Sequence, residues 1–537
     1  MLQMNIKKIV AIFVSIITVS NLNAQKFESY ESLLGLDFER LNKQALVEYL
    51  TPVRPGDGIS IPFWNKYAKA FTYAPVFEFT PQKKASYYIF TINDTISFRT
   101  NSILSPLSTV WNKVPVGKNE LVVASFDKKD RYIGEAGRRS FEKKYPFIGP
   151  YVPSVRSYKE AAMKGLFYFC HQPYFKHWLT SSEPDMSYVH NAYPCKIVGT
   201  TVSVAVMIAK LNSEYKESAI EIAKNAAQFL IDNSLPVDAP LAFFPPTYYG
   251  KELTARREEN IGKAMMMEAV FVADAFLDLY DLIHDKKYLD HALGIARTYL
   301  KNQADDGSWP VKVDYESGIP VNDAKAIPTS LISLFDRLRI CGYTEFEVAR
   351  ERAYNYIKKD IYPAYDWHGQ FEDMTVFIHR YENMTNCTVA PYAELLLKDE
   401  ESTTQDIKDA LDLIRFCEDQ FTIWNVEADK NGIYPIGTPC VFEQYHYQTP
   451  VDDSACNVIN ALMAAYDRTK DPLLLAKAIS LTNTITIWQD ASSGFLATLW
   501  MVRPGKSFWM NCTYKSVKTL LFMDEYLNRL VNSDSCN

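Results

Sequence analysis

The chain carries no C-x-x-C pair, no H-E-x-x-H, no phosphate-binding G-x-x-x-x-G-K-[ST] and no G-x-S-x-G. Those absences remove zinc cages, zincin proteases, P-loop nucleotide hydrolysis and the serine nucleophile elbow. Nine cysteines is an odd number with no framework spacing, so a dense disulfide scaffold is excluded and most are expected as buried thiols. No basic surplus exists: the net charge is -7, which argues against a nucleic-acid partner. No cofactor or metal is implied.

Long apolar runs are also missing, with one short exception. Lys7 and Lys8 precede an apolar run from Ile9 to Val19, followed by Leu22-Asn23-Ala24. That order reads as a secretory signal peptide over residues 1–24, and the run is too short for a membrane span. The expected protein is therefore exported, periplasmic or extracellular, with no membrane insertion.

What is present is aromatic weight, 14% of the chain, and a change of period. Residues 25–61 read as a helix and a Pro/Gly-rich connection. Residues 62–151 read as strands, among them Ala74–Thr80, Ser86–Ile92, Thr95–Thr100 and Leu121–Phe126, bounded by turn residues. A small fibronectin-like β-sandwich is the expectation. From residue 152 to 537 the pattern turns helical and repeats six times. First helices fall at Ser157–Leu179, Glu214–Asn233, Lys286–Ala304, Thr344–Lys359, Thr404–Trp424 and Asp471–Gln489. Second helices fall at Val198–Leu211, Glu259–Ile283, Ala326–Ile340, Asn386–Leu397, Asp453–Asp467 and Asn511–Val531. Linkers inside a pair are long, commonly about 20 residues, whereas joins between pairs are mostly short. The alternation places the long loops on one face of a ring. First helices are mostly amphipathic and second helices apolar all round, so the second set forms the inner wall. Six inner N-termini then point at the loop face and bias it toward anions and hydroxyl-rich ligands.

The loops carry the chemistry. Glu372 and Asp373 on the fourth and Glu443 on the fifth are candidates for the two carboxylates of glycoside hydrolysis. Tyr445 and His446, with His190 and Tyr193 from the first loop, offer the acid and base of a uronate β-elimination. Arg256, Arg257 and Arg380 are candidate partners for a uronate carboxylate, and His368 lies in the same loop as Glu372. Trp309, Trp367 and Trp509 offer flat faces to a pyranose ring.

The six hairpins, the Gln303–Pro310 stretch Q-A-D-D-G-S-W-P and the preceding β region resemble the six-hairpin (α/α)6 toroid superfamily of carbohydrate-active enzymes. The resemblance implies a mainly α toroid and a carbohydrate substrate. It covers most of the chain, is architectural, and carries no catalytic residue across. The leading expectation is a secreted glycoside hydrolase acting on a uronate-containing glycan. A polysaccharide lyase on the same substrates is the alternative. A sugar epimerase ranks below both, and a non-catalytic glycan-binding protein is the alternative of another class.

Overall fold

The computed structural model describes residues 28–54, 61–250, 257–373, 375–424, 437–500 and 508–534. The leader read over residues 1–24 lies outside them.

The N-terminal part supplies helix α1 (Phe38–Tyr49), capped by the Asp37 carboxylate on the Arg40 N–H. Strands β1 (Ala70–Phe71), β2 (Tyr87–Ile92), β3 (Ile96–Thr100), β4 (Gly117–Phe126) and β5 (Tyr132–Lys143) follow. They form one sheet in the order β1-β5-β4-β2-β3, with β1 and β5 parallel and the other pairs antiparallel. Among the described residues the strands of the expected sandwich form a single sheet. The sandwich's expected first strand, Ala74–Thr80, makes a single bridge at Val76 to Pro106 and otherwise runs as coil. Aromatic side chains supply the second layer instead: Trp111 stacks on Phe141 at 5.9 Å and Phe77 meets the same ring at 5.8 Å.

Twelve helices then build the ring. The outer set is α2 (Tyr158–His171), α4 (Lys216–Asp232), α6 (Lys286–Lys301), α8 (Glu347–Tyr356), α10 (Thr404–Phe421) and α12 (Pro472–Ile487). The inner set is α3 (Pro194–Leu211), α5 (Ala269–Ile283), α7 (Thr329–Ile340), α9 (Asn386–Lys398), α11 (Asp452–Thr469) and α13 (Met510–Asp534). Each inner helix packs on the next, and α13 packs back on α3, so the ring closes. Each outer helix packs chiefly on the inner helix before it, α2 doing so on α13. This is a six-hairpin (α/α)6 toroid. Helix α3, 18 residues at a mean hydropathy of 1.4, is long and apolar enough to cross a membrane, contrary to the sequence reading, but 78% of it is buried inside the ring.

Two helices depart from expectation for visible reasons. The helix read as Glu259–Ile283 starts only at Ala269, because Gly262 at φ +68° turns the chain. The residues after it, Lys263–Met265 (β6), pair antiparallel with Lys312–Asp314 (β7). Helix α12 is an outer helix yet almost wholly buried, because α1 and the turn at Tyr30–Leu33 cover the face that water would otherwise meet. Lys477 of α12 is sealed there with Glu418 (2.7 Å) and Glu48 (2.9 Å), and the Tyr73 hydroxyl donates to Glu418 at 3.0 Å. Beside them the Thr72 and Tyr73 N–H groups donate to Asp419 at 2.7 and 2.8 Å. The sheet region therefore braces the ring.

Outer helices meet at glycines with no room to spare. A Cβ on Gly307 (φ +90°), in the turn after α6, would sit 2.3 Å from the Arg352 carbonyl oxygen of α8. One on Gly494 (φ +78°), in the turn after α12, would sit 2.4 Å from that of Lys164 on α2. The same joint recurs at two places in the ring.

Candidate active site

The six inner helices enclose a cavity of about 1070 Å³ that opens among the long loops. Along α3 its lining runs from Lys196 to Lys210, a fourteen-residue interval of about 21 Å, so the void follows the ring axis rather than stopping at the mouth.

The mouth is built around Lys196, in the first turn of α3 behind Pro194. Its ammonium donates to the Glu372 carboxylate and lies 3.5 Å from Glu268. Burial alone would push this lysine down, but the two carboxylates outweigh it and hold the ammonium charged. Glu268 precedes α5; burial raises its pKa, Lys196 opposes, and Glu372 adds to the rise. The loop around Glu372 is fixed by its backbone: the Tyr248 hydroxyl (2.9 Å) and the Asn260 amide (3.3 Å) both donate to the Glu372 carbonyl. Asp373 follows on the cavity wall.

Glu443 arrives from the neighbouring loop. The Thr385 hydroxyl at the start of α9 donates to its carbonyl at 2.7 Å, and Thr385 bridges Gln444. Its side chain meets the cavity while protein surrounds it, and its pKa is pushed up to about 8. Burial is the main cause, followed by Asp373 and Asp453, with Lys196 pulling the other way. Asp453 opens α11 and is tied 3.2 Å from Lys515. The mouth thus gathers five carboxylates, Glu268, Glu372, Asp373, Glu443 and Asp453; Lys196 pairs with Glu268 and Glu372, and Lys515 with Asp453.

No protein-family model and no curated protein matches the chain. Solved structures do. A family 76 glycoside hydrolase from a bovine Bacteroides thetaiotaomicron strain aligns over 82% of this chain and 93% of its own, with 10% identity and a TM-score of 0.46. Cellobiose 2-epimerase from Spirochaeta thermophila aligns over 70% and 98%, at 12% and 0.48. An unsaturated glucuronyl hydrolase specific for heparin aligns over 69% and 97%, at 10% and 0.43. The fold assignment itself rests on the ring closure.

The structure sorts the residues expected from sequence. Glu372, Asp373, Glu443 and Trp509 line the cavity together. His190 lies stacked behind Trp509, ring centroids 3.9 Å apart, its pKa lowered to about 4 chiefly by burial, so it is neutral at pH 7. Tyr193 is buried and backs the same indole at 5.6 Å.

Other expectations are corrected. Tyr445 turns away from the cavity into an aromatic cluster with Phe63 and Phe421, and its hydroxyl donates to Gln420. Burial pushes that phenol well up, which removes it as a base. His446 is exposed on the loop and does not line the cavity. Trp309 and Trp367 are fully buried: the Trp309 indole donates to the Tyr299 carbonyl at 3.0 Å, and Trp367 packs on Tyr392. Neither presents a face to a sugar. His368 and Arg380 both turn to Asp366, at 2.9 and 3.2 Å, and leave the cavity wall to others. Arg256 lies outside the described residues, as does the side chain of Arg257.

Lys196 and Glu268 escaped the sequence reading. Their signal was a charge set directly against the apolar start of an inner helix: Ile197-Val198 follows Lys196, and Ala269-Val270 follows Glu268. Among the described residues no group of three or more His, Cys, Asp or Glu is arranged to hold a metal ion, and none of the eight described cysteines is disulfide-bonded.

Proposed function

We propose that the protein is a glycan-processing enzyme that hydrolyses a glycosidic bond at the cavity mouth. Glu443 is the general acid and Asp373 the second carboxylate. The observation that carries this is the contrast among neighbouring carboxyls. Glu443 is driven to about 8 by burial and by the charge of Asp373 beside it, and so holds its proton at neutral pH, whereas Glu372 is tied to Lys196 and serves neither role. Paired carboxyls with separated environments are what acid-assisted glycoside cleavage requires. Trp509, backed by His190 and Tyr193, gives the flat face for a sugar ring beside them.

The uronate part of the expectation needs a cation. Among the described mouth residues Lys196 and Lys515 are already engaged, and a uronate carboxylate there would face the carboxyl cluster. The mouth is therefore assigned the hydroxyl-rich part of the glycan. The N-terminal leader makes the enzyme an exported one, tested by sequencing the N-terminus of protein recovered outside the cytoplasm.

The deciding experiment is a screen of neutral and uronate-containing glycans, read by released reducing ends and by ultraviolet absorbance. Reducing ends without absorbance, lost in Glu443→Gln, support hydrolysis. Absorbance rising with reducing ends means an unsaturated uronate is forming and overturns hydrolysis in favour of elimination. Binding with no product in either channel makes the protein a glycan receptor.

A further inference from the structure

The cavity does not end at the carboxylates. On α5, after Glu268 and Val270, Phe271, Asp274 and Asp278 line the void one below another at helical spacing. Phe271 is 43% exposed although it stands on the innermost wall, and no other ring packs on it among the described residues. Closed toroid cores bury such a ring; here it faces open space. Elsewhere the lining mixes apolar side chains such as Met207 and Met267 with Ser330 and Ser333 of α7 and Asn457 and Asn460 of α11.

The inner chamber sets Asp274, Asp278 and Asp453 beside Arg337, Lys515 and Lys518, with Lys210 also on its wall. Arg337 holds Asp278 at 2.8 Å, Asp281 at 3.0 Å and Asp274 at 3.3 Å. Lys515 holds Asp453 and Asn457. Lys518, one turn further along α13, has no hydrogen-bond or ion-pair partner among the described residues and reaches only the face of Tyr514, 4.8 Å to the centroid. The ring wall surrounds it while its ammonium stays open to the void. Burial and the adjacent Lys515 lower its pKa, against the pull of Asp278 and Asp274, so an added anion would relieve it.

We infer that the lumen below the mouth is a binding chamber for an acidic saccharide end, its ring stacked on Phe271 and its carboxylate or sulfate held by Lys518. This rests on the reading of the mouth as a saccharide site and deepens it. The anion that the mouth repels is met one or two helical turns further in, and the glycan enters by its end, along the ring axis.

The test is calorimetric titration of full-length Glu443→Gln protein, which removes turnover. The acidic probes are tri-galacturonate, tri-mannuronate and a hyaluronan tetrasaccharide, and the neutral ones are cellotriose and mannotriose. At least one acidic probe is expected to bind more tightly than both neutral ones, and to weaken with added salt. Lys518→Met is expected to weaken it about tenfold, the scale of a lost charged hydrogen bond. Lys518→Arg should restore most of the loss, and Phe271→Ala should cost about threefold. Equal affinity for acidic and neutral probes overturns the inference, as does acidic binding untouched by both Lys518→Met and Phe271→Ala. Lys518-dependent binding with no turnover of any glycan by the wild type sinks the hydrolase reading and leaves the chamber standing. Turnover without Lys518-dependent binding does the reverse.

Discussion

Two buried lysines divide the molecule into two kinds of site. Lys477, beneath the sheet region, and Lys196, at the mouth, each sit between a pair of glutamates: Glu418 with Glu48, and Glu372 with Glu268. Both are held charged by those partners against the pull of burial. The surroundings differ. At Lys477 the tyrosine hydroxyl of Tyr73 closes the cluster, and the neighbouring Asp419 is met by two backbone N–H groups. At Lys196 a cavity begins, and the further carboxyls Asp373 and Glu443 crowd its wall. A buried ion pair by itself marks packing; a surplus of like charge beside open space marks chemistry.

The two lysine sites differ most at Glu443. Glu443→Gln should lower the rate of glycan cleavage by about 10²–10⁴, the range for a lost general acid, while the melting temperature holds or rises. Initial rates and thermal melts of the same preparation check both halves. A variant as active as the wild type would return the mouth cluster to the structural class.

Lys477→Met should do the opposite. It strands Glu418 and Glu48 and should cost about 3–5 kcal/mol of stability in denaturant titration, with kcat of the folded fraction unchanged. Lys196→Met strands the buried Glu372 and Glu268, so it should cost stability as well and, unlike Lys477→Met, should lose activity in the folded fraction.

The pH profile sharpens the contrast further. Folded Glu443 titrates at about 8 against an ordinary 4.5, so between those values the folded chain keeps a proton that the unfolded chain gives up. Its contribution therefore makes stability fall as pH rises from about 4.5 to about 8 and level off above. Denaturant titrations across that window should show the slope in the wild type and its loss in Glu443→Gln. Activity should decline above pH 8 as the acid ionises. The smallest effect is expected at Trp509→Ala: KM raised by up to about tenfold, with kcat less changed.

Much of the architecture was legible because it is written in spacing. All twelve ring helices, the alternation of long and short connections and the inner position of the apolar set follow from period and linker length. Strand β3 was read from its Ile96–Thr100 alternation, whereas β5 has mostly polar or glycine residues on its partly exposed positions and carries no comparable signal. The sandwich failed because the second face is covered by aromatic coil, which has no period. At the site, loop membership located Glu372, Asp373 and Glu443 but misjudged Tyr445, Trp309 and Trp367. Which way a loop side chain turns is decided by tertiary contacts: Gln420, Tyr299 and Tyr392 are distant in sequence or lie on the preceding helix. Lys518 sits in helical sequence with nothing local to distinguish it; only ring closure turns it toward a void.

That closure lets the chain start elsewhere. Because α13 packs on both α3 and α2, the wall has no seam in space, only one in the order of synthesis. Its short joins, such as the one between Leu211 and Lys216, lie on the side away from the mouth. A gene recut at such a join, with the old ends spliced together, would present the same constellation of loops under a different starting codon.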